Sequence, residues 1–278
     1  MPSINTNVAA IKARSNLDRV QRDMDTSIAR LSSGKRITRA HDDAAGSAIS
    51  GRMESQIRGL NQQIRSAKDG QALVDTQEGS MQEINSILQR MRELAVQASS
   101  GAMTSTDKDY LNLEMKQLVA EIDAISENTK FNDVAVLTGA GFSFYTDIDA
   151  SGTAITTTAA NMAASALAVS VKGVSIGGAT DTTAAGITAG LTKIDAAIAT
   201  VDNKRANLGA ISNRFDHIVD NLTNVVANTE AAKSRIVDAD FAIETTQLTR
   251  NTVLQQAATS MITQANASKN TILALIQG

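Results

Sequence analysis

Residues 53–98 read MESQIRGLNQQIRSAKDGQALVDTQEGSMQEINSILQRMRELAVQA, and this stretch decides the fold class. Mostly apolar or small residues recur in it at alternating steps of three and four, with one phase slip at Val74. The positions are Met53, Ile57, Leu60, Ile64, Ala67, Gln71, Val74, Gln77, Met81, Ile84, Leu88, Met91, Ala95 and Ala98. Such spacing over several heptads predicts a long helix that packs along a narrow seam, as in a coiled coil.

The same spacing recurs on both sides of this stretch. The first series is Ala10, Ala13, Leu17, Val20, Met24, Ser27 and Leu31; the next is Leu111, Met115, Leu118, Ile122 and Ile125. A longer one is Leu191, Ile194, Ile198, Val201, Arg205, Leu208, Ser212, Phe215, Val219, Leu222 and Val226; the last is Leu254, Ala258, Met261, Ala265, Ser268, Ile272 and Leu275. Three of seven positions in each terminal series are Ala or Ser. Such seams bury little area, so we expect both ends to be marginal in a monomer and to fold on assembly.

The composition argues against several classes of protein. There is one Pro, no Cys and no Trp, and aromatic residues make up 3% of the chain. Disulfides and thiolate metal sites are therefore excluded, and two widely separated His residues make a catalytic or metal cluster improbable. No apolar run reaches the length of a membrane span, and the N-terminus does not resemble a secretory signal peptide. We expect no enzyme activity, no cofactor, no metal and no membrane insertion.

Residues 139–192 differ from the helical arms around them. Of these 54 positions, 36 are Gly, Ala, Ser or Thr. Alternation at Phe142, Phe144 and Ile148, and again at Leu167, Val169 and Val171 before a turn at Lys172-Gly173, predicts short β-hairpins. The sequence therefore predicts a mainly α fold, in which the helical arms flank a small β-hairpin and loop insertion.

Several residues predict where helices begin and end. Asp42 and Asp43 are suited to cap the helix that follows them, and Gly34 is suited to end the helix before them. Thr106 with Asp109 resembles a capping box, and Lys130 is expected in the last turn of that helix. The first 40 residues carry a net charge of +5. That charge leaves open a basic-armed coiled coil that binds nucleic acid or anionic lipid.

Five segments resemble bacterial flagellins. Residues 31–50, LSSGKRITRAHDDAAGSAIS, resemble the family's N-terminal signature, and residues 4–10, INTNVAA, resemble its start. Residues 88–97, LQRMRELAVQ, resemble the helix that follows. Residues 234–244, SRIVDADFAIE, and residues 264–267, QANA, resemble its C-terminal signature. The likeness covers residues 1–138 and about 190–278, and the middle of the chain is outside it.

The resemblance implies a structural subunit that polymerises into the flagellar filament, the propeller for swimming. Its fold would be a long antiparallel helical bundle together with a coiled coil formed by both chain ends. Residues 1–40 and 236–278 would form the inner core, and residues 41–138 and 191–235 the surrounding helical tube. Residues 139–190 would be a short variable surface insertion.

The resemblance also implies three sets of site residues. The filament inner-core interface would comprise Ile4, Val8, Ile11, Leu17, Val20, Met24, Leu31, Leu254, Met261, Ile272 and Leu275. The core of the bundle would comprise Ile57, Leu60, Ile64, Ile84, Leu88, Met91, Leu118, Ile122, Leu208, Phe215 and Leu222. The family's Toll-like receptor contact would fall on Gln89, Arg90, Leu94 and Glu114.

The implied partners are identical subunits, an export chaperone of the flagellar type III apparatus, a filament cap and other flagellins in the same filament. A host Toll-like receptor is a further implied partner, and neither nucleic acid nor membrane is expected. The implied location is the extracellular filament. Within the same family, the alternative is a hook–filament junction protein, which shares the terminal helices.

Overall fold

The computed structural model describes residues 6–145, 154–157, 161–170 and 184–277, with side chains described to residue 268. The described elements are α1 (Val8–Ser33), α2 (Ala44–Ala98), α3 (Ser105–Asn128), β1 (Lys130–Phe131), β2 (Val134–Ala135), β3 (Phe142–Phe144), β4 (Ile155–Thr157), α4 (Ala184–Val237) and α5 (Phe241–Gln277). The prediction of a mainly α fold is confirmed. Long helices form because Pro occurs only at position 2 and the apolar residues keep helical spacing.

The chain divides into two compact units, residues 1–57 with 227–278, and residues 58–226. Their limits lie further inside α2 and α4 than the limits predicted for an inner core and a tube. In the first unit, α1 pairs with α5 in antiparallel orientation, since Asn7 contacts Ala265 and Arg30 contacts Glu244. The assignment of filament layers to residue ranges stays a prediction.

The ends of α1 and the start of α2 have defined caps. The Asn7 side chain accepts from the Ala10 amide at 3.1 Å, and Gly34 ends α1 with a left-handed φ of 68°. Asp43 caps α2, because its Oδ1 accepts from the Gly46 amide at 2.8 Å. Asp42 does not cap α2. It accepts instead from residues of the preceding loop, so the predicted pair of caps is correct only for Asp43.

The cap of α3 is two residues earlier than predicted. Thr104 and Asp107 form a reciprocal capping box, and Thr106 lies inside the helix. Thr and Asp are three positions apart at both 104/107 and 106/109, so both pairs fit the sequence pattern of a capping box. The helix ends at Asn128, so Lys130 belongs to β1 and not to the last helical turn.

The second unit contains the main hydrophobic core. Six of the residues predicted for the bundle core lie in it, namely Ile84, Leu88, Met91, Ile122, Leu208 and Phe215. Leu118 is partly buried and packs against that core. Leu60 and Leu222 are also buried, and Ile64 is half-buried. Ile57 is buried within the first unit.

The segment after α3 forms two small hairpins. β1 and β2 are antiparallel and turn at Asn132-Asp133, both with positive φ, as a two-residue hairpin turn requires. β3 pairs with β4 so that Phe142 opposes Thr157. Residues 167–169 form no strand, which corrects the second predicted hairpin; residues 148 and 171–173 lie outside the described residues.

Part of the predicted surface insertion belongs to the core. Ile155, Met162, Leu167 and Val169 are buried in the main cluster of the second unit. Backbone contacts hold this segment in place, including Met162 N–H to Leu137 O at 3.0 Å. Ile155 lies in β4, whereas Met162, Leu167 and Val169 fill the bundle without regular secondary structure. For these residues the expectation of a surface insertion was wrong, and α4 begins at Ala184, within the range assigned to the insertion.

Candidate assembly surface

The side of α1 that packs against α5 consists of the residues that the heptad-like series predicted. The residues of that series are all buried or half-buried, and most of their neighbours in α1 are exposed. The series is Ala10, Ala13, Leu17, Val20, Met24, Ser27 and Leu31. Only Val20 and Ser27 of the helix are fully buried. The seam therefore excludes water over a narrow strip and removes little apolar surface from solvent.

The side of α5 that packs against α1 differs from the series predicted for it. Its less exposed residues again step by three and four: Glu244, Leu248, Asn251, Gln255, Ala258, Ile262 and Ala265. Among the residues with described side chains, Ala258 and Ala265 are shared with the predicted series. Leu254 and Met261 are 45% and 63% exposed, respectively. A count of apolar residues selected the wrong face, because polar residues occupy several of the contact positions.

Polar contacts align the two terminal helices. Arg30 Nη1 donates to Glu244 Oε1 at 3.1 Å, and the Glu244 side chain is only 8% exposed. Gln255 donates to Gln21 at 2.8 Å. The part-buried Arg30–Glu244 pair specifies register more than it adds stability, and the Gln255–Gln21 pair is exposed.

Backbone hydrogen bonds join the segment that follows α1 to the segment that precedes α5. Lys35 and Asp238 form an antiparallel backbone bridge, and the Arg36 amide donates to Val237 O at 2.6 Å. The Ala239 amide donates to Gly34 O at 3.0 Å. The end of α1 and the start of α5 therefore meet at one hydrogen-bonded junction.

Asp42 organises the loop between α1 and α2. Its Oδ2 accepts from the Arg39 amide at 2.9 Å, the Thr38 hydroxyl at 2.9 Å and the Thr38 amide at 3.0 Å. These hydrogen bonds, that from the Arg39 amide first, lower the pKa of Asp42 to about 2. His41 Nδ1 lies 2.9 Å from the other carboxylate oxygen. The loop is thus held by an ionised carboxylate at neutral pH.

Large apolar side chains are exposed on both terminal helices. We call this set the apolar terminal face: Val8, Ile11, Ile28, Phe241, Ile243, Val253, Leu254 and Met261. Val8 is 54% and Ile11 59% exposed, whereas Leu17, Met24 and Leu31 of the predicted interface are half-buried in the seam. Ile4 and the side chains of Ile272 and Leu275 lie outside the described residues. Exposed apolar residues recur along both helices of the pair, which indicates that other molecules cover parts of this surface.

The residues predicted for receptor contact do not all lie on the surface. Arg90 bonds to Glu114 at 2.9 Å and to Glu93 at 3.2 Å, and both carboxylates raise its pKa, Glu114 the more. Gln89 is exposed and donates to Asn85 at 3.0 Å. Leu94 is 1% exposed and belongs to the core, so an external partner does not reach its side chain in this conformation. The predicted seam series of α2 does not include Leu94, because the buried face of α2 is wider than a single narrow seam.

Residues 4–141 match the protein family described as the bacterial flagellin N-terminal helical region, and residues 191–276 match the bacterial flagellin C-terminal helical region. The chain belongs to the bacterial flagellin family. It is 39% identical over 275 residues to the flagellin of Halalkalibacterium halodurans and 36% identical over 302 residues to that of Bacillus subtilis. The alignments cover 99% of this chain and 99% of each relative.

A crystal structure of Bacillus cereus flagellin aligns with 61% of this flagellin and 94% of its own chain, at 32% identity and a TM-score of 0.48. The two family matches and the full-length relatives confirm the resemblance noted in the sequence, and the chain is a structural subunit of the extracellular flagellar filament. No comparison favours the hook–filament junction alternative. Among the described residues, no helix is long and apolar enough to span a membrane, and no cluster of His, Asp or Glu could hold a metal ion.

Proposed function

We propose that the apolar terminal face is the surface through which flagellin subunits pack in the core of the filament. The observation that carries the proposal is the exposure of Ile11, Leu254 and Met261 on two paired helices. A fully buried aliphatic side chain contributes about 1.5–3 kcal/mol relative to an exposed one. Burial of several such side chains in each subunit supplies a driving force for assembly. The α1–α5 seam buries too little apolar surface to supply it.

The same reasoning supports the proposal that the ends become fully ordered only on assembly. Buried apolar residues are few among the described part of the first unit: Val20, Ile37, Ile57 and Val237. Ordering costs of about 1–2 kcal/mol per residue exceed what such a core returns. Contact with neighbouring copies would supply the missing burial, and would couple folding of the ends to polymerisation.

Three further proposals concern partners. An export chaperone and a filament cap have a clear physical task, since the apolar terminal face is exposed before assembly and promotes aggregation. A host Toll-like receptor would meet exposed Gln89, Arg90 and Glu114, without a direct contact to Leu94. Other flagellins could share the filament if their terminal faces match. We also propose that the protein has no enzymatic activity, as befits a structural family.

The proposed interface is tested by changing exposed residues that do not support the monomer. Ile11→Ser with Leu254→Ser should leave helicity nearly unchanged and should abolish filaments seen by electron microscopy of seeded or precipitant-treated protein. Val134→Ser, an equally exposed residue of β2, is the matched control and should polymerise normally. Full-length filaments from the double variant would contradict the proposal. Deleting residues 1–30 should also prevent filaments of full diameter while leaving residues 58–226 folded.

A further inference from the structure

Four polar contacts join α2 to α4 within the second unit. Gln71 donates to Asp216 at 2.9 Å, Asn85 donates to Asp202 at 2.5 Å, and Arg92 donates to Asp195 at 2.7 Å. In the fourth contact, Arg205 Nε and Nη2 both donate to Glu78 Oε1, at 3.1 and 2.6 Å. On α2 these residues are spaced by seven, so they form one row along the helix.

The fourth contact departs from the pattern of the others. The partners of residues 71, 85 and 92 imply that residue 78 should oppose Gly209. Gly209 has no side chain, and a Cβ placed there would meet no atom within 4 Å. Arg205, one turn away on α4, supplies the guanidinium that reaches Glu78, and the space at Gly209 itself stays open. The position opposite Glu78 therefore contains no acidic group in the observed register.

The apolar seam by itself specifies the register weakly. Residues spaced by seven on α4 are all apolar and buried: Ile187, Ile194, Val201, Leu208, Phe215 and Leu222. A displacement of α4 by one heptad, about 10.5 Å, would again place apolar residues opposite α2. Periodic seams of this kind allow alternative registers unless polar residues discriminate between them.

We infer that Glu78 determines the register of α4 against α2 by excluding both neighbouring registers. Displacement by one heptad in one direction places Glu78 opposite Asp202, and displacement in the other places it opposite Asp216. Opposed carboxylates repel each other, whereas the observed register gives Glu78 the Arg205 guanidinium. The inference concerns the folded subunit and does not depend on the proposed filament interface.

A contact based on size acts in the same direction. Gly70 on α2 accommodates the ring of Phe215, since an added Cβ would lie 2.7 Å from Phe215 Cζ. After a one-heptad displacement the ring would meet Gln63 or Gln77, both buried polar residues. Phe215→Leu removes this second constraint by making the row uniformly aliphatic. The test of Glu78 is therefore made in a full-length Phe215→Leu background.

The absence of Cys from the chain makes the register measurable by cross-linking. In the double variant Gln71→Cys with Asp216→Cys, a short bismaleimide should cross-link the two cysteines only in the observed register. Gln71→Cys with Gly209→Cys reports the register that brings Glu78 to Asp202. Each pair is combined with Glu78→Gln or with Arg205→Gln, and intramolecular products are quantified by mass spectrometry. Both substitutions remove the ion pair, but only Glu78→Gln removes the repulsion in the displaced register.

We expect Glu78→Gln to raise the displaced cross-link about two- to fivefold over Arg205→Gln, as expected from opposed surface charges. Glu78→Lys should raise it further, because Lys would attract Asp202. Equal displaced cross-linking in Glu78→Gln and Arg205→Gln would show that the pair contributes only stability and would overturn the inference. Absence of displaced product in all three variants would overturn it as well, because the apolar seam alone would then specify the register.

Discussion

Gly70 allows a close approach between α2 and α4 that no other residue type would permit without rearrangement. Its absent side chain leaves room for Phe215, whose ring also contacts Phe144 edge to face at a centroid distance of 5.7 Å. Two of the few aromatic residues in the chain meet here. This position therefore depends on shape more than on hydrophobicity.

Gly70→Ala should destabilise the protein by about 1–3 kcal/mol, because the new methyl group overlaps the Phe215 ring in a packed core. Gly79→Ala is the matched control in the same helix, since a Cβ there meets no atom within 4 Å. That substitution should stabilise by about 0.5–1 kcal/mol through a lower entropy of the unfolded chain. Urea unfolding measures both changes, and stabilisation by Gly70→Ala would contradict the packing described here.

Asp42 predicts a pH dependence at the loop between α1 and α2. Its pKa is about 2 in the folded chain, against an ordinary value of 3.8. A depressed pKa means that its stabilisation is fully present above about pH 4 and is lost as the pH falls toward 2. Asp42→Asn should therefore lower the Tm at pH 7, and the difference from the parent should close between pH 4 and pH 2.

Thermal unfolding followed by circular dichroism over pH 2–7 measures this effect. Asp109→Asn, at an exposed position of α3, is the control and should change the Tm little at any pH. A deficit in Asp42→Asn that persists undiminished at pH 2 would show that the carboxylate charge is not responsible.

The start of α3 shows how a helix depends on one capping residue. Thr104 Oγ1 accepts from the Asp107 amide at 3.3 Å, and Asp107 accepts from the Thr104 amide at 3.0 Å. Hydrogen bonds from Thr104 lower the pKa of Asp107. The capping box therefore satisfies backbone groups that the first helical turn leaves unpaired.

Thr104→Ala should cost about 0.5–2 kcal/mol, the usual range for loss of an N-cap side chain. Thr106→Ala should be nearly neutral, because Thr106 lies after the cap and is exposed. Chemical denaturation of both variants distinguishes the structural cap from the one that the sequence favoured. A larger loss from Thr106→Ala would restore the original assignment.

The two compact units should differ in resistance to proteolysis. The main hydrophobic cluster lies within residues 58–226, whereas described residues of the other unit bury few apolar side chains. Local opening is easier where little apolar surface is buried. Limited trypsin digestion of the monomer should remove residues 1–57 and 227–278 first and leave a resistant fragment near 58–226.

Mass spectrometry identifies the products, and the assembled filament provides the comparison. Filaments should protect the terminal segments by at least about tenfold, because neighbouring subunits would bury them. Equal cleavage of monomer and filament at the ends would argue against the proposed interface. Initial cleavage within α3 or α4 between residues 184 and 226 would instead argue against the position of the stable core.

Much of this architecture is encoded in local periodicity. The α1 series from Ala10 to Leu31 predicted the facing seam correctly, because small and apolar residues there coincide with contact positions. The α5 series did not, since Asn251 and Gln255 occupy contact positions while Leu254 faces solvent. Hydrophobicity predicts a helix face reliably only when the partner covers the most apolar side. In a subunit that assembles, the most apolar side of a helix can be exposed in the monomer and covered by a neighbouring subunit.

The sequence by itself determined the mainly α fold and the approximate helix ends, because these follow from spacing, caps and the distribution of Pro and Gly. It indicated the family through the segments near both ends that resemble flagellins. The tertiary structure alone decided which face of α5 meets α1, that Leu94 is core, and that Ile155, Met162, Leu167 and Val169 contribute to the bundle. It also placed Glu78 beside Arg205, 127 residues away. Local patterns specify a helix within a few turns, whereas pairing between distant segments depends on side chains that come together only in the folded chain.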